Sequence, residues 1–425
     1  MQAEPNASAA RARAQTRVLR VLAASQVLGG IGPAAGAAVG ALLAADLATE
    51  SLSGLSASAS VIGTAVIAVP MSRLMDQRGR RPGLAMAYLI GVAGAAIVIL
   101  GAMLGSFALA LAGVVLTGSG TAAGSQSRYA ATDLATPGTR GRSLSTVVWA
   151  TTFGSVLGPN LASPMGDLAS AIDIPRLAGP YLLMAVVYIL AAAIIGLFLR
   201  PDPLLLARDA GRLPADAATP PLGHLSDSGS IAQSLRVIRE HPAALLGLLS
   251  IVVGHVAMVG IMSMTPVHLQ DDGASLTVVG VIISVHITGM YVASPLVGVA
   301  SDRYGRRPVM LLGAMLLLAA CAFAGTAPGH AHTQLGIGLT LLGLGWSCTL
   351  IAGSTLLTES IPLVQRPRVQ GTSDLVMGMA GAISGLLSGV VVGFGSYALL
   401  TVFAAILIVP LLVGTLRPAQ VRVPA

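Results

Sequence analysis

The chain has 425 residues, of which 54% are hydrophobic and only 10% are charged, and its formal net charge is +7. A soluble protein of this length would carry about 25% charged residues, so the composition excludes a large soluble domain and indicates an integral membrane protein. The two cysteines, Cys321 and Cys348, both lie in apolar stretches, so no disulfide framework is predicted.

Apolar stretches recur along the whole chain, and at about 20 residues each is long enough to cross roughly 30 Å of hydrocarbon. We therefore predict an all-α membrane protein with twelve transmembrane helices. They lie near 18–44, 52–75, 82–103, 107–128, 143–165, 177–199, 242–268, 275–300, 308–328, 334–356, 372–393 and 396–416.

The spans group into two six-helix bundles separated by a polar, proline-rich segment. The predicted domains are a disordered cytoplasmic tail (1–17), an N-terminal bundle (18–199), a cytoplasmic linker (200–240), a C-terminal bundle (241–416) and a C-terminal tail (417–425). If the N-terminus is cytoplasmic, every one of the 24 basic residues except Arg176 falls on the cytoplasmic side. Because positive charge accumulates in cytoplasmic loops, we expect both termini to be cytoplasmic.

A short loop sequence occurs twice. Asp76-Gln77-Arg78-Gly79-Arg80-Arg81-Pro82 is echoed by Asp302-Arg303-Tyr304-Gly305-Arg306-Arg307-Pro308, at an offset of 302 − 76 = 226 residues. A second pair, Asp133 with Arg140 and Arg142 against Glu359 with Arg366 and Arg368, keeps the same offset. Two loops that repeat in register indicate that the bundles are structural copies, related by pseudo-symmetry.

The charges of these loops suggest a conformational role. A carboxylate at a helix end can cap backbone N–H groups, and a neighbouring arginine can bridge to carboxylates such as Asp133. Such contacts would hold the cytoplasmic side together in one state and release it in another; the alternative is that the arginines only fix topology. The predicted gating residues are Asp76, Gly79, Arg80, Arg81, Asp133, Arg140, Arg142, Asp302, Gly305, Arg306 and Arg307.

The same loops resemble those of the major facilitator superfamily, whose signature after the second helix is roughly Gly-x-Leu-x-Asp-Arg-x-Gly-Arg-Arg. The first copy here, Ser72 to Arg81, departs at two positions, and the second, Gly298 to Arg307, is closer. The fifth span carries Gly154-x-x-x-Gly158-Pro159, which is similar to the family's antiporter motif or is small-residue packing with a proline kink. The resemblance implies a secondary transporter with two six-helix halves.

Methionine and histidine side chains cluster in two spans. His255, Met258 and Met262 share one face of the seventh span, and His286 and Met290 are four apart in the eighth. If these side chains meet at the bilayer midplane, they form a soft ligand set suited to Cu(I). The pattern resembles a branch of the family containing copper importers and riboflavin transporters, which implies Met258, Met262, His286 and Met290 as ligands of transported copper. An organic-solute site and plain packing stay open.

Other polar groups inside spans need a partner or water, because an unpaired amide in hydrocarbon is costly, so they either line a substrate cavity or hydrogen-bond between helices. They are Gln26, Gln126, Asn160 and Trp346. The acidic residues are predicted to lie in loops or near helix ends, with Asp374 in the first turn of the eleventh span. A buried carboxylate proton relay is therefore not expected, and uniport or coupling through histidine stays open.

We interpret the chain as a transporter of a small solute by alternating access, with copper import as one hypothesis and organic-solute efflux or riboflavin-type transport as the alternative. A membrane receptor or scaffold is an alternative of another class. No nucleotide-binding loop or nucleophile motif is present in the sequence, so an enzyme is not expected. We predict no cofactor and no nucleic-acid partner, a small-molecule or ion substrate, a monomer, and a place in the lipid bilayer of the cytoplasmic membrane.

Overall fold

The structure, a computed structural model, describes residues 3–48, 54–210, 231–271, 273, 276–328 and 330–416. These residues are almost entirely helical and include no strand, which confirms the all-α fold class. The helices are α1 (Ala3–Leu47), α2 (Gly54–Arg78), α3 (Arg80–Met103), α4 (Phe107–Ala130), α5 (Arg140–Ala171), α6 (Gly179–Phe198), α7 (Pro203–Ala210), α8 (Ile231–Glu240), α9 (Pro242–Asp271), α10 (Leu276–Tyr291), α11 (Ser294–Tyr304), α12 (Arg306–Gly325), α13 (His332–Glu359), α14 (Arg366–Phe394) and α15 (Tyr397–Leu416).

Within the described residues, 11 helical segments are long and apolar enough to cross a membrane, against the twelve predicted. Helices α10 and α11 together form one of them, Val278–Tyr304. The predicted span that is not among them is α5. It has 32 residues, which is ample length, but its serines, threonines and glycines make it less apolar, and Pro159 and Pro164 lie inside it.

The helices group into two compact units. The first comprises Met1–Glu240 and Ile361–Met379, and in it α1 packs on α5 and α6 while α3 packs on α4 and α6. The second comprises His241–Ser360 and Ala380–Ala425, and in it α13 packs on α9, α10 and α12. The division differs from the predicted boundaries at 361–379, because the first half of α14 bonds to helices of the first unit.

Close approach of α1 and α5 depends on small residues. A Cβ added to Gly154 would lie 2.6 Å from the Val27 carbonyl oxygen, and one added to Gly158 would lie 2.6 Å from the Ile31 carbonyl oxygen. Small residues four apart allow two backbones to come together in a membrane. The Gly154-x-x-x-Gly158 pattern therefore has a packing role in this structure.

The predicted disorder of 1–17 is wrong for 3–17, because α1 begins at Ala3. The segment is rich in alanine, the strongest helix former, so it extends the helix of the first predicted span towards the N-terminus. Arg11 Nε donates to the Leu134 carbonyl oxygen at 3.3 Å, and Gln15 Nε2 donates to the Ala131 carbonyl oxygen at 2.8 Å. These bonds fasten the extension to the end of α4.

The predicted linker contains the two short helices α7 and α8, so its ends are structured. Leu204 on α7 is fully buried, which packs this helix into the first unit. Residues 211–230 of the predicted linker and the predicted tail 417–425 lie outside the described residues.

Candidate functional site

Arg80 of the first repeated loop lies at the centre of a buried polar cluster and is 0% exposed. Its Nε donates to Asp133 Oδ2 at 2.9 Å and its Nη2 to Asp133 Oδ1 at 3.3 Å. Its Nη1 donates to Gln126 Oε1 at 3.2 Å, and its Nη2 also donates to Gln370 Oε1 at 2.6 Å. The planar guanidinium thus bridges α3, the end of α4 and α14, as its rigid fork of donors allows.

A second buried ion pair lies beside the first. Arg128 Nη2 is 2.6 Å from Asp374 Oδ1, and both side chains are almost fully buried. Gln126 Nε2 donates to Asp374 Oδ2 at 2.6 Å, so Gln126 contacts Arg80 through its oxygen and Asp374 through its nitrogen. Two arginines and two aspartates balance, which is what allows four charges to be buried together.

The position of Asp374 corrects a prediction. Because α14 begins at Arg366, eight residues before Asp374, this carboxylate lies in the third turn of the helix and not in the first. The predicted span begins only at 372 because Arg366 and Arg368 are charged and resemble loop residues, whereas both lie in the first turn of α14. The expectation that the acidic residues stay near helix ends therefore fails at Asp374.

Asp76 makes a third set of ion pairs. Its Oδ1 accepts from Arg208 Nη2 at 2.7 Å, and its Oδ2 accepts from Arg368 Nε at 2.6 Å. Arg208 also donates from Nη1 to the Asp76 carbonyl oxygen at 2.7 Å. Asp76 thereby connects the end of α2 with α7 and with the start of α14.

The predicted capping of helix ends by a motif carboxylate is performed by a different residue, Asp202. Its Oδ2 accepts from the Arg81 backbone N–H at 2.7 Å, at the start of α3. Its Oδ1 accepts from the Leu204 N–H at 3.0 Å, so it also caps α7. One carboxylate thus satisfies free N–H groups of two helices, since both present the positive end of the helix dipole to it.

The second repeated loop forms a cluster in the second unit. Arg306 Nη1 lies 2.7 Å from Asp302 Oδ1, and Arg306 Nη2 lies 2.8 Å from Glu359 Oε1. Arg306 Nη1 also donates to the Ser301 carbonyl oxygen at 2.5 Å. The pair Arg306–Glu359 corresponds, at the offset of 226 residues, to Arg80–Asp133 in the first unit.

The remaining predicted gating residues surround these clusters. Gly79 has φ 92° and ψ 173°, and Gly305 has φ 94° and ψ 164°, a region that is essentially restricted to glycine. Arg81 is half-buried and meets Asp202 through its backbone. The others lie at helix beginnings: Arg140 and Arg142 on α5, and Arg307 on α12.

A cavity of about 330 Å³ lies within the first unit, among α1, α2, α4 and α6. This volume is at the lower end of the range for small-molecule sites, roughly 300–1,000 Å³. Its polar groups are hydroxyls, and none of the described residues that line it is charged. The hydroxyl residues of the lining are Ser56, Ser60, Thr117, Thr121, Tyr181 and Tyr188.

Two hydroxyls of the cavity converge on a glycine of α1. A Cβ added to Gly40 would lie 2.8 Å from Ser56 Oγ and 3.4 Å from Tyr181 Oη. Absence of a side chain at Gly40 therefore leaves these hydroxyls together at one wall. Met184 and Val114 supply apolar wall.

The predicted methionine and histidine residues lie on α9 and α10, and each of these helices packs mainly on α13. His286 is 1% exposed, and its Nδ1 lies 2.8 Å from the Leu339 carbonyl oxygen of α13. Its Nε2 is buried and has no hydrogen-bond partner in the described part of the chain. Met258 and Met290 are buried, and Met262 is half-buried.

The second imidazole has a different partner. His255 Nδ1 accepts from Trp346 Nε1 at 3.4 Å. The Trp346 indole packs edge-on against the Tyr291 ring, with 5.7 Å between the ring centroids. Both imidazoles therefore bond to α13. In the described residues, no three His, Cys, Asp or Glu side chains group together as a metal site.

Two of the three predicted amide residues, Gln26 and Asn160, differ in environment. Gln26 is buried, and its Nε2 donates to Thr151 Oγ1 at 3.0 Å, which joins α1 to α5. Asn160 is exposed, and its Nδ2 donates to the Val156 carbonyl oxygen at 2.6 Å within α5. Neither lines the 330 Å³ cavity.

Comparison with known proteins identifies the family. The sequence model of the Major Facilitator Superfamily matches residues 34–273 and 247–424. The chain belongs to the major facilitator superfamily. Its relatives include the uncharacterized MFS-type transporters YdeG and YddS of Bacillus subtilis (strain 168), which are 40% and 36% identical over 92% and 95% of this chain and cover 89% and 92% of their own lengths.

More distant proteins in the superfamily agree on architecture. The riboflavin transporter RfnT of Brucella anthropi is 26% identical over 86% of each chain. The crystal structure of the human organic anion transporter MFSD10 superimposes with a TM-score of 0.70 at 18% identity, over 94% of this chain and 99% of that one. That likeness shows the fold alone. The family model and the two Bacillus subtilis relatives show that the protein is a multi-pass membrane transporter, and its substrate is a separate question.

Sequence reasoning missed several residues of the ionic clusters. Gln370, Asp202, Arg208 and Arg128 carry no role in the sequence analysis. Gln126 is predicted there to line a cavity or to bond between helices, and Asp374 is predicted only to lie near a helix end. The offset of 226 was the one available signal, because Arg368 stands at the position that corresponds to Arg142.

Proposed function

We propose that this superfamily member carries a small, uncharged organic solute with hydrogen-bonding groups across the cytoplasmic membrane by alternating access. The observation that carries this is the cavity of the first unit, whose described lining residues contribute hydroxyl groups and no charged group. A metal ion or an organic ion would leave an uncompensated charge there, since buried charges need a partner. Hydroxyls and apolar walls suit a neutral solute, which can exchange water for them at little cost.

Tyr181 is the side chain with which to test this proposal. Its ring is buried, and its hydroxyl lies beside Ser56 at the wall of the cavity. Tyr181→Phe removes only that hydroxyl. The matched control is Tyr397→Phe in the second unit, where an equally buried tyrosine lies 2.9 Å from Thr265 Oγ1.

The experiment is a thermal-shift screen of the purified full-length protein against neutral organic solutes, followed by transport in proteoliposomes. Riboflavin enters the screen first because RfnT is named for it. A ligand at 100 times its Kd stabilises by about 2.7 kcal/mol, which is a measurable shift. We expect a solute whose shift and transport are weakened in Tyr181→Phe and retained in Tyr397→Phe. If a transported solute gives the same thermal shift and the same transport rate in both variants, its binding site lies outside this cavity.

Copper import is the second candidate, and one observation favours it. His286 Nε2 is buried without a hydrogen-bond partner in the described residues, and Met290 lies one helical turn away. An imidazole nitrogen and a thioether are soft ligands for Cu(I). Cell copper content, with and without added copper, should rise with the wild type and not with the Met262→Ala, His286→Ala double variant. Unchanged copper in wild-type cells would remove this candidate.

The ionic clusters of Asp76, Arg80 and Asp374 supply a latch for the cycle. They fasten the first half of α14 to α2, α3, α4 and α7, on the side that the arginine distribution assigns to the cytoplasm. Alternating access moves six-helix bundles against each other about a central site. We infer that these contacts form when the cytoplasmic side is closed and break when it opens.

A further inference from the structure

A groove of about 710 Å³ follows the cytoplasmic extension of α1. Arg13, Arg17 and Arg20 line it from α1, and Phe198 lines it from the end of α6. Spacings of four and three residues place the three arginines on one face of the helix. Neither the latch nor the solute cavity involves these residues, so the groove lies outside the sites described above.

The groove carries positive charge without compensation. All three arginine side chains are exposed, and within the described residues none has a hydrogen bond or ion pair. No carboxylate is among the described residues that line the groove. By contrast, Arg80 and Arg128, deeper in the same unit, are paired with aspartates. The three guanidiniums are therefore available to an anion.

The level of the groove matches a lipid headgroup layer. Arg20 is the last charged residue before an apolar run that extends to Asp46, so it marks the start of the hydrocarbon. Seven residues of helix from Arg13 to Arg20 rise about 10 Å, compared with a headgroup layer of roughly 5–8 Å per leaflet. The arginines thus cover the depth at which lipid phosphates lie.

An apolar wall distinguishes a lipid from a free anion. Phe198 is 52% exposed at the cytoplasmic end of α6, and Val21 continues the α1 side of the groove towards the hydrocarbon. An aromatic ring at this depth is typical of the interface, where its apolar body meets acyl chains. Free phosphate would gain nothing from this wall.

We propose that this groove binds an anionic phospholipid of the cytoplasmic leaflet. Arg13, Arg17 and Arg20 hold the phosphate, and Val21 and Phe198 contact the start of an acyl chain. Basic residues at a membrane surface attract anionic lipid by an amount equivalent to about fivefold in affinity for each arginine. Three arginines acting together correspond to roughly a hundredfold.

Native mass spectrometry of the detergent-purified full-length protein tests the site, with phosphatidylglycerol and phosphatidylcholine as probes. We expect the wild type to retain phosphatidylglycerol preferentially, and the Arg13→Gln, Arg17→Gln, Arg20→Gln variant to lose that preference. The matched control is Arg236→Gln, Arg239→Gln, which removes two exposed arginines of α8 outside the groove. The control should bind as the wild type does.

The proposal is wrong if the wild type retains both lipids equally, or if the triple variant retains phosphatidylglycerol as the wild type does. It is also wrong if the control variant loses the preference for phosphatidylglycerol to the same extent, because the preference would then come from overall positive charge and not from the groove. If the triple variant is not monodisperse, Arg17→Gln alone should still weaken phosphatidylglycerol binding about fivefold. An unchanged affinity in Arg17→Gln would then count against the site. In a separate experiment, inorganic phosphate is added at the same concentration as phosphatidylglycerol. If phosphate displaces the lipid, the groove is a site for free phosphate and the proposal is wrong.

Discussion

The two copies of the repeated loop have the same sequence pattern and different ionic partners. In the second copy Asp302 pairs with Arg306, four residues further on. In the first copy Asp76 pairs with Arg208 and Arg368, while Arg80 bonds to Asp133, Gln126 and Gln370. A repeated motif therefore fixes the arginine–acid pair with the next loop, Asp133 or Glu359, but does not fix the partner of its own aspartate.

The two copies also differ in how deeply their arginines are buried. The Arg80 side chain is fully buried, whereas that of Arg306 is 10% exposed and its partner Glu359 is 23% exposed. An ion pair that water reaches is screened, so its loss costs less than the loss of one that is fully enclosed. The first copy should therefore contribute more to stability, and the comparison yields predictions of decreasing size.

The largest expected effect is the difference in unfolding free energy between two single variants, one lacking Arg80 and the other lacking Arg306. Arg80→Met leaves Asp133 buried and unpaired and should lower the free energy of unfolding by about 3–5 kcal/mol. Arg306→Met leaves acids that water can partly reach and should cost about 1–3 kcal/mol. Thermal unfolding of both variants in the same detergent measures this. Equal shifts in Tm would mean that the difference in burial has no energetic consequence.

The Arg128–Asp374 pair extends the first cluster through Gln126, and its coupling can be isolated by a double-mutant cycle. Arg128→Gln, Asp374→Asn and the double variant should give a coupling energy of about 1–3 kcal/mol. The control cycle uses Arg176→Gln and Asp167→Asn, an ion pair of 2.9 Å whose side chains are 63% and 65% exposed. That pair should couple by less than about 1 kcal/mol. Coupling of equal size in both cycles would contradict the proposed importance of the buried pair.

Much of the fold could be predicted because it depends on patterns that repeat. Span length predicted the helices, and the offset of 226 residues predicted two structural copies. The sequence analysis expected an arginine to bridge to Asp133 without naming which one, and it did not predict the corresponding pair Arg306–Glu359. Gln126 and Gln370 have no such signal, since an amide in an apolar run looks the same whether it lines a cavity or joins two ion pairs. Asp374 was misplaced because charged residues at the start of α14 look like a loop. The Met and His set remains a prediction.

The two motif glycines differ in what surrounds them. Both have φ near 90°, so alanine is strained at either position by about 1–3 kcal/mol. At Gly79 a Cβ would also lie 2.5–2.8 Å from the Asp202 carboxylate, whereas at Gly305 the nearest described atom is Pro308 Cδ at 3.8 Å. Gly79→Ala should therefore lower Tm more than Gly305→Ala does. Asp202→Ala tests the cause, because in that background Gly79→Ala should lower Tm by no more than Gly305→Ala does. Equal Tm losses for the two glycine variants in the wild-type background would mean that contact with Asp202 adds nothing at Gly79.

Asp76→Asn should have the smallest effect on stability and the clearest effect on the latch. Asparagine keeps the size of the side chain but loses the charge that holds Arg208 and Arg368, and because the site is partly open to water we expect a loss of about 1 kcal/mol. Hydrogen exchange should accelerate in 203–210 and 366–379, the segments fastened to Asp76, and not in α3 or α13. The control is Asp167→Asn, which breaks the exposed ion pair between Asp167, near the C-terminal end of α5, and Arg176.

Transport of an identified solute should fall in Asp76→Asn while the protein stays folded, because without the ion pairs of Asp76 the closed state of the cytoplasmic side is not held. Wild-type transport and unchanged exchange in this variant would contradict a latch role for Asp76 and would leave the loop arginines with only a role in topology.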